Sequence, residues 1–213
     1  MKKIVIVFTI LVVSVVLAPI VNAADIKQMQ FKDSPGCYID MRGEIKDTDA
    51  QEIVNLIEAR NCPTGETNML MITSGGGSAQ GGTDVADVIK FYGLDTMVSE
   101  VDGLAVSAGF SILMSGKTVF IYENARIGHH SPWIPEFEYN AFYVGKKPLP
   151  PYDHNVYGQK MIVDSIEQDL ETIPAWLIVK YITKIQGEVY WLSAVDKLKL
   201  HKEGYIRLLK AKK

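Results

Sequence analysis

Cysteine is scarce in this chain of 213 residues, which contains only Cys37 and Cys62. Two cysteines are too few for a disulfide-rich scaffold. They also lie far apart, with no histidine near either one, so we do not expect them to form a zinc site. One disulfide and two separate buried thiols are both consistent with this spacing. The even number favours the disulfide if the chain is exported.

The sequence also lacks an excess of charge of one sign. It has 22 basic and 25 acidic residues. No basic cluster is interleaved with aromatic residues, so the composition does not favour nucleic-acid binding. The segment Ser115-Gly116-Lys117-Thr118 resembles the end of a phosphate-binding loop, but Ser111 occupies the position of the required first glycine. We therefore expect no cofactor, no metal and no nucleic-acid partner.

Only the N-terminus contains a long apolar run. Two lysines precede this run, and Pro19 and the small-residue segment Val21-Asn22-Ala23 follow it. The pattern predicts that residues 1–23 are a secretory signal peptide, with cleavage before Ala24. An uncleaved membrane anchor is the alternative, because the run approaches the length that spans a bilayer. After cleavage, residues 24–213 would form a single periplasmic or secreted domain without a membrane partner.

Short apolar segments alternate with helical patterns along residues 37–110. Residues 69–73 form a continuous apolar run typical of a buried parallel strand, and a helical pattern follows them. Similar units begin at residues 37–43 and 96–100. This alternation predicts an α/β fold with right-handed crossovers between parallel strands.

A serine, a histidine and a glycine-rich turn form the pattern most relevant to function. Ser107 lies on a turn of small residues, and His130 follows it at a predicted strand end. A serine hydroxyl becomes a good nucleophile when a neighbouring base accepts its proton. Upstream, the turn at residues 74–78 can present backbone N–H groups to an oxyanion. Close helix packing is the alternative explanation for the small side chain of Ser107.

These segments resemble the proteolytic subunit of the Clp protease, within the wider ClpP/crotonase superfamily. The family's Asn-Ser-Pro-Gly-Gly-Ser turn corresponds to residues 73–78, and its nucleophile turn corresponds to residues 103–109. Its Asn-Ser-Arg-x-x-x-His-x-Pro strand corresponds to residues 124–132. The resemblance implies a ClpP/crotonase-like fold of repeated ββα-type units. It also implies a helical handle-like insertion after Pro132, through which subunits assemble into a homo-oligomer.

The resemblance assigns roles to individual residues. Ser107 would be the nucleophile and His130 the general base, and the N–H groups of Gly76 and Ala108 would form the oxyanion hole. Because neighbouring side chains on a strand point to opposite faces, only one of the two adjacent histidines can reach the serine. We therefore expect His129 to pack behind the site.

The third member of a catalytic triad is not supported by a motif. The family's aspartate lies eight residues before the serine of a Leu-Ser-Ala motif, and the matching position here is Ile185, beside Gln186. Gln186 could bond an imidazole without supplying charge. Four carboxylates in the C-terminal part of the chain are candidates: Asp164, Asp169, Glu188 and Asp196.

The sequence therefore predicts an exported serine endopeptidase that cleaves peptides or unfolded proteins through an acyl-enzyme, without ATP. Two alternatives remain open. The first is an enzyme resembling signal peptide peptidases, in which Lys117 or Lys180 replaces histidine as the base. The second is a non-catalytic crotonase-fold binding or assembly module that uses the aromatic residues within 133–143.

Overall fold

The computed structural model describes residues 24–29, 36–59, 68–130, 169–184 and 188–211. Several sequence predictions lie outside these ranges: the signal peptide, Cys62, the aromatic stretch within 133–143, most of the handle-like insertion, Asp164, Ile185 and Gln186. In the described ranges, no helix has both the length and the apolar character needed to cross a membrane.

The larger sheet has six strands in the order β1-β2-β3-β4-β6-β9. Only β1 is antiparallel to its neighbour, and the other adjacent pairs are parallel. The central strand β3 is apolar and mostly buried, as its continuous apolar sequence predicted. The strands are β1 (Asp25–Met29), β2 (Tyr38–Arg42), β3 (Met69–Thr73), β4 (Asp95–Val98), β6 (Val119–Tyr122) and β9 (Arg207–Leu209).

A smaller sheet of three strands carries most of the predicted site. It contains β5 (Leu104–Val106), β7 (Arg126–His129) and β8 (Tyr190–Trp191) in that order. The strands β5 and β7 are parallel, whereas β7 and β8 are antiparallel. A parallel bridge between Ser74 and Ala105 joins β5 to the carboxyl end of β3. The glycine-rich turn after β3 therefore lies beside the end of β5.

The described helices are α1 (Asp49–Ala59), α2 (Ala79–Tyr92), α3 (Ala108–Met114), α4 (Ala175–Ile182) and α5 (Ala194–Lys202). Capping residues define the ends of α2. The Ser78 hydroxyl accepts a hydrogen bond from the Gly81 N–H at its start, and Gly93 ends it with φ 63°. These are the preferred residue types at the two ends of a helix.

The last helix, α5, holds the connection between β6 and β7. The buried Lys197 of α5 donates hydrogen bonds to the carbonyl oxygens of Glu123 and Ala125, at 2.7 and 2.6 Å. Burial lowers the pKa of this ammonium group, although the charge of Glu123 opposes the shift. The two carbonyls thus gain a charged donor, which compensates for their removal from water.

The hydrophobic core brings together side chains of the larger sheet and the surrounding helices. Met41, Leu70 and Ile72 are fully buried in the sheet, and Ile53 of α1 and Ile89 of α2 are buried with them. The parallel-rich sheet and its helices confirm the α/β fold predicted from the sequence. Helix α4 begins directly after Pro174, which is its N-cap residue.

Candidate active site

Ser107 lies at a strained turn between β5 and α3. Its φ of 55° and ψ of −125° place it outside the regions that a non-glycine residue ordinarily occupies. Its carbonyl oxygen accepts hydrogen bonds from the N–H groups of Phe110 and Ser111, which stabilise the first turn of α3. A serine on a sharp strand-to-helix turn is the geometry that exposes a nucleophile in many hydrolases.

Gly76 approaches Ser107 more closely than any residue with a side chain could. An added Cβ at Gly76 would lie 2.8 Å from the Ser107 Cβ and 3.1 Å from the Val106 carbonyl oxygen. Gly76 also has φ 107°, which glycine adopts readily and other residues do not. The glycine-rich turn and Ser107 are therefore neighbours in space, as the sequence pattern predicted.

Replacing Gly76 by alanine is expected to reduce catalytic activity on the order of 100-fold, because small displacements of reacting groups have effects of this size. The new Cβ would push against Ser107, and the backbone would be strained. The rate of Ser107 acylation and the melting temperature measure the two effects. Gly75→Ala is the matched control, since its added Cβ would have no atom within 4 Å. Equal losses in both variants would contradict this prediction.

The two predicted oxyanion donors differ in their hydrogen bonding. The Gly76 N–H donates to the Ser74 hydroxyl at 3.1 Å, and that hydroxyl donates to the Gly43 carbonyl at 2.6 Å. Ala108 is the first residue of α3, where N–H groups lack an acceptor within the helix. Gly76 must therefore share or release its bond to Ser74 before it can bind an oxyanion fully.

Parallel pairing brings the predicted base to the same end of the small sheet as Ser107. Val106 is in register with Gly128, and the Ser107 N–H donates to the Gly128 carbonyl at 3.2 Å. β7 ends one residue later at His129, and the partly buried His130 follows directly. Ser107 and His130 therefore lie just beyond the carboxyl ends of neighbouring strands.

His129 points into the core. Its ring centroid lies 4.8 Å from that of Phe110 and 4.6 Å from that of Tyr181, and only 7% of the residue is exposed. The His129 Nε2 lies 3.2 Å from the Asp169 Oδ2. The Tyr181 hydroxyl donates to the same oxygen. Burial, reinforced by the charge of Asp169, raises the pKa of Tyr181 far above its ordinary value, so this donor stays protonated.

The sequence did not reveal which candidate carboxylate contacts a histidine. Three of the four lie within the described residues, and Asp169 is the one that is bonded to a histidine. Glu188 is exposed and pairs with Lys184 at 3.3 Å. Asp169 is 40 residues from His129 and belongs to no motif, so sequence spacing could not connect them.

Asp196 has a structural role at the start of α5. Its carboxylate accepts hydrogen bonds from the Tyr190 hydroxyl at 2.8 Å and the Ser193 hydroxyl at 2.7 Å, and it pairs with Lys180. Burial alone would raise the pKa of Asp196, but hydrogen bonds from Lys180, Ser193 and Tyr190 lower it to about 2. The carboxylate is therefore committed to capping α5 and binding Lys180.

Neither lysine considered as an alternative base has suitable surroundings. The hydrogen bond to Asp196 raises the pKa of Lys180, whereas a lysine base requires a lowered pKa. Lys117 precedes β6, and its N–H donates to the carbonyl of Leu94, which precedes β4. It thus lies at the amino ends of the strands, opposite the end that holds Gly76. In the described part of the chain, no group of three or more potential metal ligands is present.

The fold and the site define an α/β protein with a serine on a strand-to-helix elbow, facing a glycine-rich turn. The family model described as Clp protease matches residues 23–138, more than half of the chain. The chain therefore belongs to the Clp protease family.

A solved structure with a similar fold is that of a point mutant of ClpP1 from Listeria monocytogenes. The TM-score is 0.56 at 18% sequence identity, and the match covers 81% of this chain and 91% of that chain. No curated protein matches the sequence. The structural likeness thus extends over most of both chains and establishes a ClpP-like fold, while the low identity leaves the chemistry to be argued from the site.

Proposed function

We propose that this protein is a serine endopeptidase that hydrolyses peptide bonds through an acyl-enzyme, with Ser107 as nucleophile and His130 as general base. The strained elbow at Ser107, in close contact with Gly76, is the observation that carries the proposal. A strained non-glycine backbone is costly and persists where the surrounding structure imposes it. Membership of the Clp protease family supports the same chemistry.

In the proposed reaction, His130 accepts the Ser107 proton while the Ser107 Oγ attacks the peptide carbonyl carbon. The tetrahedral oxyanion binds the N–H of Ala108 and, after release from Ser74, the N–H of Gly76. His130 then protonates the leaving amine as the C–N bond breaks. Water, deprotonated by His130, hydrolyses the acyl-enzyme and restores the serine. The donors at the oxyanion stabilise the transition state, each by roughly 3 kcal/mol.

In the absence of substrate, the Ser74 hydroxyl occupies one of the two donors of the proposed oxyanion hole. This hydroxyl accepts the hydrogen bond of Gly76 and connects that turn to Gly43, next to β2. A substrate carbonyl that becomes negatively charged is a stronger acceptor than a neutral hydroxyl. When the oxyanion replaces the Ser74 hydroxyl as acceptor of the Gly76 N–H, the hydrogen bond becomes stronger in the transition state than in the resting enzyme. A bond that strengthens in the transition state is the requirement for catalysis.

Labelling with a fluorophosphonate tests the proposed function directly. The reagent phosphonylates an activated serine and releases fluoride, and peptide mapping by mass spectrometry locates the modified residue. We expect the label on Ser107 and none on Ser111, which lies one turn along α3. A non-catalytic binding module would remain unlabelled at both serines and would not cleave an unfolded substrate, and that result would refute the proposal.

Location, assembly and substrate form the second part of the proposal. A signal peptide at residues 1–23 would deliver the enzyme to the periplasm or the outside of the cell. ATP is not expected there, so the substrates would be peptides or unfolded proteins that need no ATP-driven unfolding. Members of the Clp protease family form oligomers, and we propose that this chain forms a homo-oligomer as well.

Intact-mass spectrometry of the exported protein should show a chain that begins at Ala24 and carries one disulfide. We propose that the disulfide joins Cys37, which is buried, to Cys62. Reduction should add the mass of two hydrogens and destabilise the fold by about 3 to 4 kcal/mol, through freedom regained by the unfolded chain. A mature protein that retains Met1 or has two free thiols would contradict these assignments.

A further inference from the structure

His129 is a buried histidine that the proposed reaction does not use. It lies in the last position of β7, with its ring packed between Phe110 and Tyr181. A histidine is expensive to bury unless its polar atoms are bonded. The motif of the Clp protease family does not require a histidine here, because this position is one of its variable residues. The buried imidazole of His129 is therefore a feature of this chain that the family motif does not explain.

The contacts of Asp169 determine the tautomer of His129. A carboxylate oxygen only accepts hydrogen bonds, and the Asp169 Oδ2 faces both the Tyr181 hydroxyl and the His129 Nε2. In the neutral ring, Nε2 must then carry the proton and Nδ1 must hold the lone pair. The His129 Nδ1 is buried and has no hydrogen-bond partner among the described residues. Asp169 therefore bonds Nε2, the ring nitrogen of His129 that has a hydrogen-bond partner among the described residues.

The position of His129 connects this pair to the proposed catalytic residues. His129 precedes His130 directly, and their ring centroids are 6.2 Å apart. The carbonyl of Gly128, on the other side of His129, accepts the hydrogen bond of the Ser107 N–H. Any shift or rotation of this strand end would therefore move the base and the nucleophile relative to each other.

We propose that Asp169 positions the catalytic base by holding His129, and that it thereby takes over part of the role of the aspartate that this chain lacks at Ile185. This inference rests on the proposed function. Asp169 and His129 are positioning residues, because they act on the reaction through His130 and do not contact the substrate. Tyr181 supports them by orienting the carboxylate.

Two substitutions at His129 distinguish positioning from other roles. In His129→Gln, the amide nitrogen lies where Nε2 was and can still donate to Asp169. In His129→Asn, the amide nitrogen reaches only the former place of Nδ1. We expect kcat of the asparagine variant to fall on the order of 100-fold with KM little changed, and the glutamine variant to recover most of that loss. Equal losses in both variants would overturn the proposal.

Neutralising Asp169 is the second test of the positioning role. Asp169→Asn should reduce kcat about as much as His129→Asn, and the double variant should lose little more, because both changes break one interaction. The matched control is Glu171→Gln, which neutralises an exposed carboxylate two residues away that pairs with Lys90. Normal kcat in Asp169→Asn, or an equal loss in the control, would contradict the positioning role.

Ring ¹⁵N NMR of the full chain tests the same interaction without relying on activity. The wild type should show His129 protonated at Nε2, and Asp169→Asn should change the ring signals of both His129 and His130. If the wild type proves inactive, the proposed peptidase function fails, and the spectrum alone then decides whether Asp169 positions the two rings. A His129 ring protonated at Nδ1 but not at Nε2, or His130 signals unchanged by Asp169→Asn, would overturn the inference.

Discussion

Ser107→Ala is expected to abolish peptide hydrolysis and fluorophosphonate labelling, with a loss in kcat on the order of a millionfold. The substitution removes the Oγ atom, which is the proposed site of the covalent intermediate. The fold should persist, because alanine deletes a single oxygen from a half-buried residue whose hydrogen bonds to Gly128, Phe110 and Ser111 are made by its backbone. Steady-state kinetics with an unfolded protein substrate and mass spectrometry of the labelled chain measure the two losses.

Ser111→Ala is the control for Ser107→Ala, because it removes a hydroxyl from the same helix without touching the elbow. It should retain nearly full activity. Both variants should melt near the wild-type temperature, which separates lost chemistry from lost structure. Hydrolysis by Ser107→Ala within tenfold of the wild type would show that another residue is the nucleophile, or that a contaminating peptidase is being measured.

His130→Ala is expected to slow acylation on the order of 10⁴-fold or more, because the serine hydroxyl then loses its proton acceptor. The partly buried His130 lies beyond the end of β7, so its removal should destabilise the protein less than the removal of the buried His129. Single-turnover labelling kinetics isolate the acylation step. Added imidazole should restore part of the rate by entering the space left by the ring.

The effect of imidazole distinguishes a missing base from a disturbed fold. A small base can replace His130 only if Ser107 and the oxyanion donors are still in place. If His130→Ala keeps a rate within tenfold of the wild type while His129→Gln is inactive, the base is His129, and the assignment of the two histidines is reversed. If both variants are fully active, a histidine base is excluded.

The sequence was sufficient to predict the parts of the fold and site that depend on neighbouring residues. The apolar run at residues 69–73 correctly predicted a buried parallel strand, because such strands need apolar side chains on both faces. The turn of small residues around Ser107 became an elbow between β5 and α3. The motif resemblance predicted that the glycine-rich turn lies near Ser107, and the structure places Gly76 against Ser107.

The parts that could not be predicted depend on contacts between distant segments. Asp169 was one of four possible acids, and its contact with His129 follows from tertiary packing of a segment outside every motif. The hydrogen bond from Gly76 to Ser74 was also not predicted. Sequence matching assigns Gly76 its role as a donor but cannot show whether that donor is already occupied. Local pattern therefore indicated a candidate site, while the hydrogen bonds around it depend on three-dimensional packing.

The C-terminal segment has a consequence for the timing of synthesis. β6 pairs with β9 on one side, and Lys197 of α5 binds the two carbonyls after β6. Ribosomes produce the chain from its N-terminus. β6 therefore gains its neighbour β9, and the two carbonyls gain the Lys197 donor, only after α5 and β9 have been synthesised. Until then the nascent chain has Ser107 and His130 but an unpaired strand edge, a state prone to aggregation. The larger sheet is therefore completed only when α5 and β9 have both been synthesised.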